Sequence, residues 1–190
     1  MRTRLPRAER ERQVLDSARA LFAERGYAEV TMDEVASAVG VTKPLLYNYF
    51  GNKEQLFLAC MKPAADALLT HVVGAVQDAR DTREALHSGI HAFFAFLDAE
   101  GEAWRMLYDE SLPGGGEIAQ RVHEYRARLE SLVTAALQEH TESRAVEPLS
   151  IAILGAAEAL GRWWLRTGAL SADRTAELLI RTIEPGLRTR

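Results

Sequence analysis

The chain has 190 residues, 47% of them hydrophobic, and a formal net charge of −4, a composition typical of a globular protein. Its one cysteine, Cys60, excludes a disulfide framework and a cysteine-based metal cluster, and is typical of a cytoplasmic protein. The first residues do not resemble a signal peptide, and no apolar run approaches the roughly 18 residues of a membrane span.

Basic residues concentrate at the start of the chain. Residues 1–53 contain nine Lys/Arg and seven Asp/Glu, whereas residues 54–190 contain fourteen and twenty. Five of the first twelve residues are arginines, among them Arg2, Arg4 and Arg7. This asymmetry favours an N-terminal part that meets phosphate and an acidic body that does not. The alternative is a solvated, arginine-rich terminus without a partner.

Apolar residues recur with a helical period along most of the chain, and no strand-like alternation is found. We therefore predict an all-α fold of about nine helices. The first helix should run from about Arg7 to Arg25, and Gly26 should end it. Its buried stripe is predicted to be Val14, Ala18, Leu21 and Phe22.

Residues 31–53 carry the start and stop signals of two short helices and the beginning of a third. Thr31 and Glu34 have the spacing of a capping box, and Gly40 stands where a helix end needs a left-handed residue. Thr42 should cap the next helix, with Pro44 in its first turn. A turn this short indicates a helix-turn-helix, and the second helix of that motif enters the major groove of DNA.

The middle of the chain should contain three helices. Helix 4 is predicted to begin at Asn52, with Gln55 as its capping partner, and Pro63 should kink or break it. Helix 5 should follow Thr82, and a short helix 6 should cover residues 102–108.

The last three helices are separated by glycine, proline and polar residues. Pro-Gly-Gly-Gly at 113–116 is predicted to be a flexible loop; it lacks the Gly-Lys-Ser/Thr ending of a phosphate-binding loop. Ser171 should cap helix 9, which should stop before Pro185. The predicted bounds of helices 7 and 8 are about 118–139 and 148–167, with a polar stretch at 140–147 between them.

The motif, its position near the N-terminus and the chain length resemble the TetR family of bacterial transcription regulators. The resemblance is carried by ALFAERGY at 20–27 and by TMDEVASAVGVTKPLLYNYFGNKEQL at 31–56. It implies a helix-turn-helix DNA-binding domain over residues 1–53 and a helical ligand-binding and dimerisation domain over residues 54–190. It further implies a ligand-responsive repressor that binds a palindromic operator as a homodimer, with no catalytic residues and no cofactor.

The same resemblance implies which residues meet DNA. Tyr47 and Tyr49 have apolar bodies and polar tips, so packing in the core is the alternative to DNA contact. Leu45 and Asn48 depart from the family pattern, in which Thr or Ser and His are frequent, although leucine can contact a thymine methyl. The predicted DNA-binding residues are Thr31, Thr42, Lys43, Pro44, Leu45, Tyr47, Asn48, Tyr49 and Lys53.

The body is rich in aromatic residues, which are suited to the walls of a ligand cavity. Ordinary core packing is the alternative for most of them, and Glu158 is as well placed to pair with Arg162 one helical turn away. The predicted ligand-binding residues are Phe93, Leu97, Trp104, Leu107, Tyr108, Glu158 and Trp163. The identity of the small-molecule effector does not follow from the resemblance.

Helices 8 and 9 are predicted to form the homodimer interface, because small residues on helix 8 let a partner helix approach closely. The alternative is that both helices only cover their own chain. The predicted interface residues are Ala152, Gly155, Ala156, Ala159, Leu178, Leu179 and Ile183.

Two other classes of protein were weighed. An enzyme is not predicted, because the sequence shows no Ser-His-Asp arrangement and no cofactor loop. His87 and His91 stand one helical turn apart, but a third ligand is not evident, so no metal site is predicted. A protein-interaction module, in which the acidic body recruits a partner protein, remains the third reading.

Overall fold

A computed structural model describes residues 6–108, 111–138 and 146–187, all of whose regular structure is helical. The all-α prediction is therefore confirmed. The helices are α1 (Arg7–Glu29), α2 (Met32–Val39), α3 (Lys43–Phe50), α4 (Lys53–Gln77), α5 (Thr82–Leu107), α6 (Gly116–Gln138), α7 (Val146–Thr167) and α8 (Ala172–Leu187). Predicted helices 5 and 6 are the two parts of α5, which bends at Glu100 (φ −128°, ψ 34°).

The described helices form two compact units. Unit 1 contains the chain up to residue 65 together with residues 102–123, and unit 2 contains residues 66–101 and the chain from residue 124 onwards. The predicted functional boundary between residues 53 and 54 concerns which part binds DNA, and it stays a prediction.

Unit 1 has a continuous apolar core made by α1 to α4. Phe22, Phe57 and Tyr27 stack edge to face and side by side, with ring centroids 5.1–6.2 Å apart. Leu46 and Val35 are fully buried between the helices of the motif. Burial of each such side chain stabilises the fold by about 1.5–3 kcal/mol.

The start of α6 is fixed to the start of α4 within unit 1. Glu54 Oε1 accepts a hydrogen bond from the amide of Ile118 at 3.3 Å, and Gln55 Nε2 donates to Glu117 Oε2 at 2.7 Å. Ser111 Oγ, in the preceding loop, accepts a hydrogen bond from the Ala28 amide at 3.2 Å. Two segments some sixty residues apart in sequence are thus held together by polar contacts.

The local signals of the helix-turn-helix are confirmed. Thr31 Oγ1 accepts from the Glu34 amide and Glu34 Oε2 accepts from the Thr31 amide, which is the complete capping box. Gly40 has φ 70° and ψ 38°, so α2 ends in the left-handed region that glycine tolerates best. Asn52 caps α4 through the Gln55 amide at 2.8 Å.

Three helix predictions require correction. Thr42 precedes α3 but makes no side-chain capping bond, so Pro44 and the backbone bonds to the Thr42 carbonyl define this helix start. α4 continues through Pro63, so of the two predicted effects, a kink or a break, the break is wrong. Apolar residues that surround the proline, such as Met61 and Ala64, are buried, and this packing outweighs the lost amide. α8 likewise continues past Pro185 to Leu187.

α4 is long and apolar enough to cross a membrane, by length and composition alone. Half of its most apolar 18-residue stretch is buried within the protein. Core helices of globular proteins can have the same length and composition. Its apolar side chains, among them Leu56, Phe57, Leu68 and Val72, are buried in the two units, which accounts for the composition.

Unit 2 is built from the second part of α4, most of α5, the rest of α6, and α7 and α8. α7 ends at Gly168, whose amide donates to the Trp164 carbonyl at 2.9 Å and whose φ is 57°, as predicted. Ser171 caps α8 through the Arg174 amide at 3.3 Å, also as predicted. Gly161 lies against Leu97 and Phe93, and a Cβ there would approach Leu97 to 2.8 Å.

Candidate DNA interface and effector pocket

α3 has one buried and one exposed face. Leu46 and Phe50 are buried one turn apart and fix the helix on unit 1. Tyr47, with 41% of its surface exposed, lies on the other face with Lys43 and Asn48. An eight-residue helix held from one side, with polar side chains on the opposite side, has the form required for reading a groove.

The nine predicted DNA-binding residues are not equally accessible. Thr31, Thr42, Lys43, Pro44, Tyr47 and Asn48 are exposed, whereas Leu45, Tyr49 and Lys53 are half-buried. None is fully buried, so all remain candidates for contact, and their roles stay predictions.

Thr31 is already engaged in capping α2. Its hydroxyl donates to Glu34 Oε2 at 2.8 Å and accepts from the Glu34 amide at 3.3 Å. Arg25 Nη1 donates to Glu34 Oε1 at 2.7 Å and thereby connects α1 to α2. The hydrogen bonds from Arg25 and then Thr31 lower the pKa of Glu34 to about 2. The hydroxyl of Thr31 would have to leave Glu34 before it donated to a phosphate.

Lys53 has a structural role that the sequence did not indicate. Its Nζ donates to the Ala28 carbonyl at 3.2 Å and lies 4.4 Å from the centroid of the Tyr27 ring. Burial lowers the pKa of Lys53, and the nearby Glu34 charge opposes that shift. Lys53 therefore ties the start of α4 to the end of α1, besides presenting a cation at the predicted phosphate position.

Tyr49 supports a cation from the N-terminal part of α1. The Arg7 guanidinium carbon lies 5.3 Å from the centroid of the Tyr49 ring, within the range of a cation–π contact. Tyr49 is half-buried, so part of its surface packs in the protein, and its contact with DNA stays a prediction. Arg2 and Arg4 lie outside the described residues.

Unit 2 contains an apolar cavity of about 50 Å³, a candidate effector site that is hereafter named the effector pocket. Its described lining consists of apolar side chains and one glycine, and four helices contribute to it. The lining residues are Val72, Val76, Ala85, Leu86, Gly89, Ile90, Phe93, Leu129, Val133, Leu137, Ile153, Leu154 and Ala157. Such a lining favours an apolar group, because a buried polar group without a partner would be destabilised there.

Of the predicted ligand-binding residues, only Phe93 lines this pocket. Leu97 lies next to Phe93 against Gly161, and Trp163 is half-buried on α7. Glu158 Oε2 is 3.9 Å from Arg126 Nη2, a pair that the sequence did not indicate.

The other three predicted ligand residues belong to unit 1. Trp104 and Tyr108 stack with ring centroids 3.9 Å apart, and Leu107 is 6% exposed. None of the three belongs to the described lining of the effector pocket, which lies within unit 2.

Most residues of the pocket lining carry no distinctive signal in the sequence. Val72, Leu129 and Ile153 lie at helical spacings that also describe ordinary core positions. Only the contacts between helices distant in sequence show that a space remains between them.

Two domain models of one family match this chain. The description "Bacterial regulatory proteins, tetR family" matches residues 14–60, and "Tetracyclin repressor-like, C-terminal domain" matches residues 82–185, more than half of the chain. The chain belongs to the TetR family. It is accordingly a helix-turn-helix transcription regulator rather than an enzyme, and regulators of this family bind operator DNA and small-molecule effectors.

Individual relatives agree with this assignment. The HTH-type transcriptional activator FasR of Mycolicibacterium smegmatis is 35% identical over 119 residues, covering 63% of this chain and about half (54%) of that relative. A TetR-like transcriptional regulator from Rhodococcus sp. RHA1 superimposes with a TM-score of 0.83 and 32% identity over 98% of this chain and 100% of that chain.

AibR, solved in complex with isovaleryl coenzyme A and operator DNA, shares the fold. Its TM-score is 0.75 at 23% identity, and the match covers 91% of this chain and 97% of AibR.

In this TetR-family regulator, the predicted dimer stripe is largely open to solvent. Ala152, Gly155 and Ala159 are exposed on α7, and a Cβ on Gly155 would meet no atom within 4 Å. Leu178 on α8 is 47% exposed, but Leu179 is only 4% exposed. Leu179 packs inward within its own unit and offers almost no surface to a partner, so the prediction that it belongs to the interface is wrong.

Ala156 and Ile183 are half-buried. Ile151, which the sequence reading did not include, is 51% exposed on the same helix as the stripe and extends its apolar surface.

His87 and His91 each lie beside a carboxylate of α8. His87 Nε2 lies 3.4 Å from Glu184 Oε2, whose other oxygen lies 3.0 Å from Arg83 Nε, and His91 Nδ1 lies 3.8 Å from Asp173 Oδ1. Among the described residues, no group of three or more His, Cys, Asp or Glu side chains is suited to a metal ion.

Proposed function

We propose that this chain is a ligand-responsive repressor, acting in the cytoplasm, that binds a palindromic operator as a homodimer. The observation that carries the proposal is the exposed polar face of α3, whose opposite face is fixed by Leu46 and Phe50. A dimer would present two such helices to successive major grooves, about 34–36 Å apart. One copy alone contacts too few bases for useful affinity.

The effector proposed for the pocket is a small molecule with an apolar acyl group. The described lining offers no polar side chain, so an aliphatic group fits better than a polar one. The complex of AibR with isovaleryl coenzyme A supports an acyl thioester as the class. The volume of about 50 Å³ is a third of that of a cavity that holds benzene, about 150 Å³, so a short acyl chain would require the least widening of the pocket.

The homodimer proposed here uses the exposed apolar residues of α7 and α8. Ile151 and Leu178 are about half exposed, so α7 and α8 each offer a large aliphatic side chain that a partner could cover. The small residues Ala152, Gly155 and Ala159 would let two α7 helices approach closely. Leu178→Glu should convert a dimer to monomers in sedimentation velocity.

DNA binding can be tested with duplexes from upstream of the chain's own gene and with sites selected from a random library. We expect salt-sensitive binding to one palindrome. Tyr47→Ala should weaken it by about tenfold, the loss of one hydrogen bond and its packing, roughly 1.4 kcal/mol. Tyr47→Phe keeps the ring and removes the hydroxyl, so it distinguishes the contributions of the two groups to affinity. If no duplex is bound specifically by the folded dimer, the proposed function is wrong.

The effector class is tested in the same binding assay. Isovaleryl coenzyme A should release the operator, while coenzyme A without the acyl group should not. Ala157→Leu narrows the pocket and should abolish the response while leaving operator affinity unchanged. Release by coenzyme A alone, or an unchanged response of Ala157→Leu, would contradict an acyl-binding role for this pocket.

A further inference from the structure

A carboxylate lies on the surface of the helix-turn-helix motif next to the first residue of α3. Asp33 Oδ2 accepts a hydrogen bond from Lys43 Nζ at 2.7 Å, and both side chains stay open to solvent, at 64% and 49%. Asp33 is in the first turn of α2, where the helix dipole favours a negative charge. A carboxylate on a surface that meets phosphate repels DNA, so its position there requires an explanation.

Stability does not explain the pair. An ion pair this exposed contributes little to folding, because water and salt screen it and two long side chains must be ordered. The connection between α1 and α2 is already made by Arg25 and Glu34, and the core of the motif by Leu46 and Val35. Asp33 is therefore expected to act through Lys43, by changing how Lys43 meets DNA.

We propose that Asp33 is a specificity-determining residue that acts by positioning Lys43; the inference rests on the proposed DNA-binding function. The Lys43 ammonium has three donor hydrogens, of which Asp33 takes one and leaves two for acceptors on a base edge. The pair as a whole carries no net charge. Lys43 thus gains little from phosphates, which occur at every step of any duplex, and keeps its hydrogen bonds for guanine O6 and N7.

The hydrogen bond that Lys43 donates to Asp33 also orders the lysine side chain before DNA arrives. A lysine side chain that is free in solution loses rotamer freedom when it binds a base, and part of that loss has occurred here in the unbound protein. The same bond raises the pKa of Lys43 above its ordinary value.

The test compares wild type with Asp33→Asn, which keeps the size of the side chain but removes its charge. Affinity is measured for the operator and for a scrambled duplex over a series of salt concentrations. We expect tighter binding to the scrambled duplex, a salt slope steeper by about 0.9 per protomer, and a specificity ratio lowered by roughly tenfold. The control is Asp16→Asn, at an exposed residue of α1. It makes the same change in net charge and should not lower the specificity ratio.

A double-mutant cycle separates positioning from general electrostatics. In a Lys43→Gln background, Asp33→Asn should no longer change the specificity ratio. An equal effect in both backgrounds would overturn the inference, as would unchanged specificity in Asp33→Asn, or an equal loss of affinity for both duplexes with a lowered melting temperature. If the wild type binds no sequence specifically, the proposed function fails with it; if it does so and Asp33→Asn behaves like wild type, only this inference fails.

Discussion

The helix-turn-helix and the effector pocket differ in how far apart in the chain their parts lie. The capping box joins residues three apart, and the whole motif spans residues 31–50. The pocket draws its described lining from residues between 72 and 157, on α4, α5, α6 and α7. The first is determined by backbone geometry and local polar bonds, and the second by how side chains of distant helices fill space. Substitutions of the same chemical type should therefore have different effects in the two regions.

The largest difference is expected for Leu→Ala. Leu46 is fully buried in the motif, so Leu46→Ala should reduce the free energy of unfolding by about 3–5 kcal/mol. Leu86, 3% exposed, already borders a cavity and has fewer neighbours to lose, so Leu86→Ala should cost about 2–3 kcal/mol. Urea titration of both variants measures the difference; a larger loss for Leu86→Ala would show that the pocket wall is as tightly packed as the motif.

A smaller contrast is expected for Gly→Ala. Gly40 has φ 70°, so although a Cβ meets no atom within 4 Å, Gly40→Ala should cost about 1 kcal/mol of backbone strain. Gly74, inside α4, has equally open space and no positive φ, so Gly74→Ala should stabilise the protein by about 0.5–1 kcal/mol. Opposite shifts of the melting temperature are the expected result, and two shifts of the same sign would contradict it.

The smallest effect is expected for the charge on Glu34, which is exposed. Because its pKa is about 2 when folded, against 4.5 ordinarily, its ionised form stabilises the fold above about pH 4.5. That contribution should be lost as the pH falls from 4.5 towards 2. The difference in melting temperature between wild type and Glu34→Gln should therefore shrink over this range. The difference between wild type and Arg25→Met should shrink in the same way. A difference in melting temperature that stays constant with pH would show that the substitutions act through packing and not through the charge of Glu34.

The sequence predicted what is encoded locally. Thr31 with Glu34, Gly40 and Asn52 each signal a helix end within a few residues, and each has the predicted geometry. The family followed from the same stretch, and the domain models confirm it. Prolines were misleading at two positions, since Pro63 and Pro185 both lie inside helices. A rule on one residue could not include the packing that surrounds it.

What the sequence did not predict depends on contacts between distant segments. Phe93 was the one ligand residue whose place in the pocket was anticipated, because an aromatic inventory does not show which side chains share a space. The bonds from Lys53 to Ala28, and from Lys43 to Asp33, join residues 25 and 10 apart. Charge patterns show that such residues exist, but only the crossing of the helices shows which of them meet.

The polar bonds between α4 and the beginning of α6 have a consequence for protein engineering. Glu54 and Gln55 hold residues 117 and 118, so the compact body that carries the recognition helix is discontinuous along the gene. A fragment that stops at residue 53 or 65 would lack residues 117 and 118 and would expose the part of unit 1 that they contact. Hybrid regulators made by exchanging N-terminal segments should therefore carry residues 102–123 from the same parent. Otherwise the two segments of unit 1 come from different proteins and their contacts are lost.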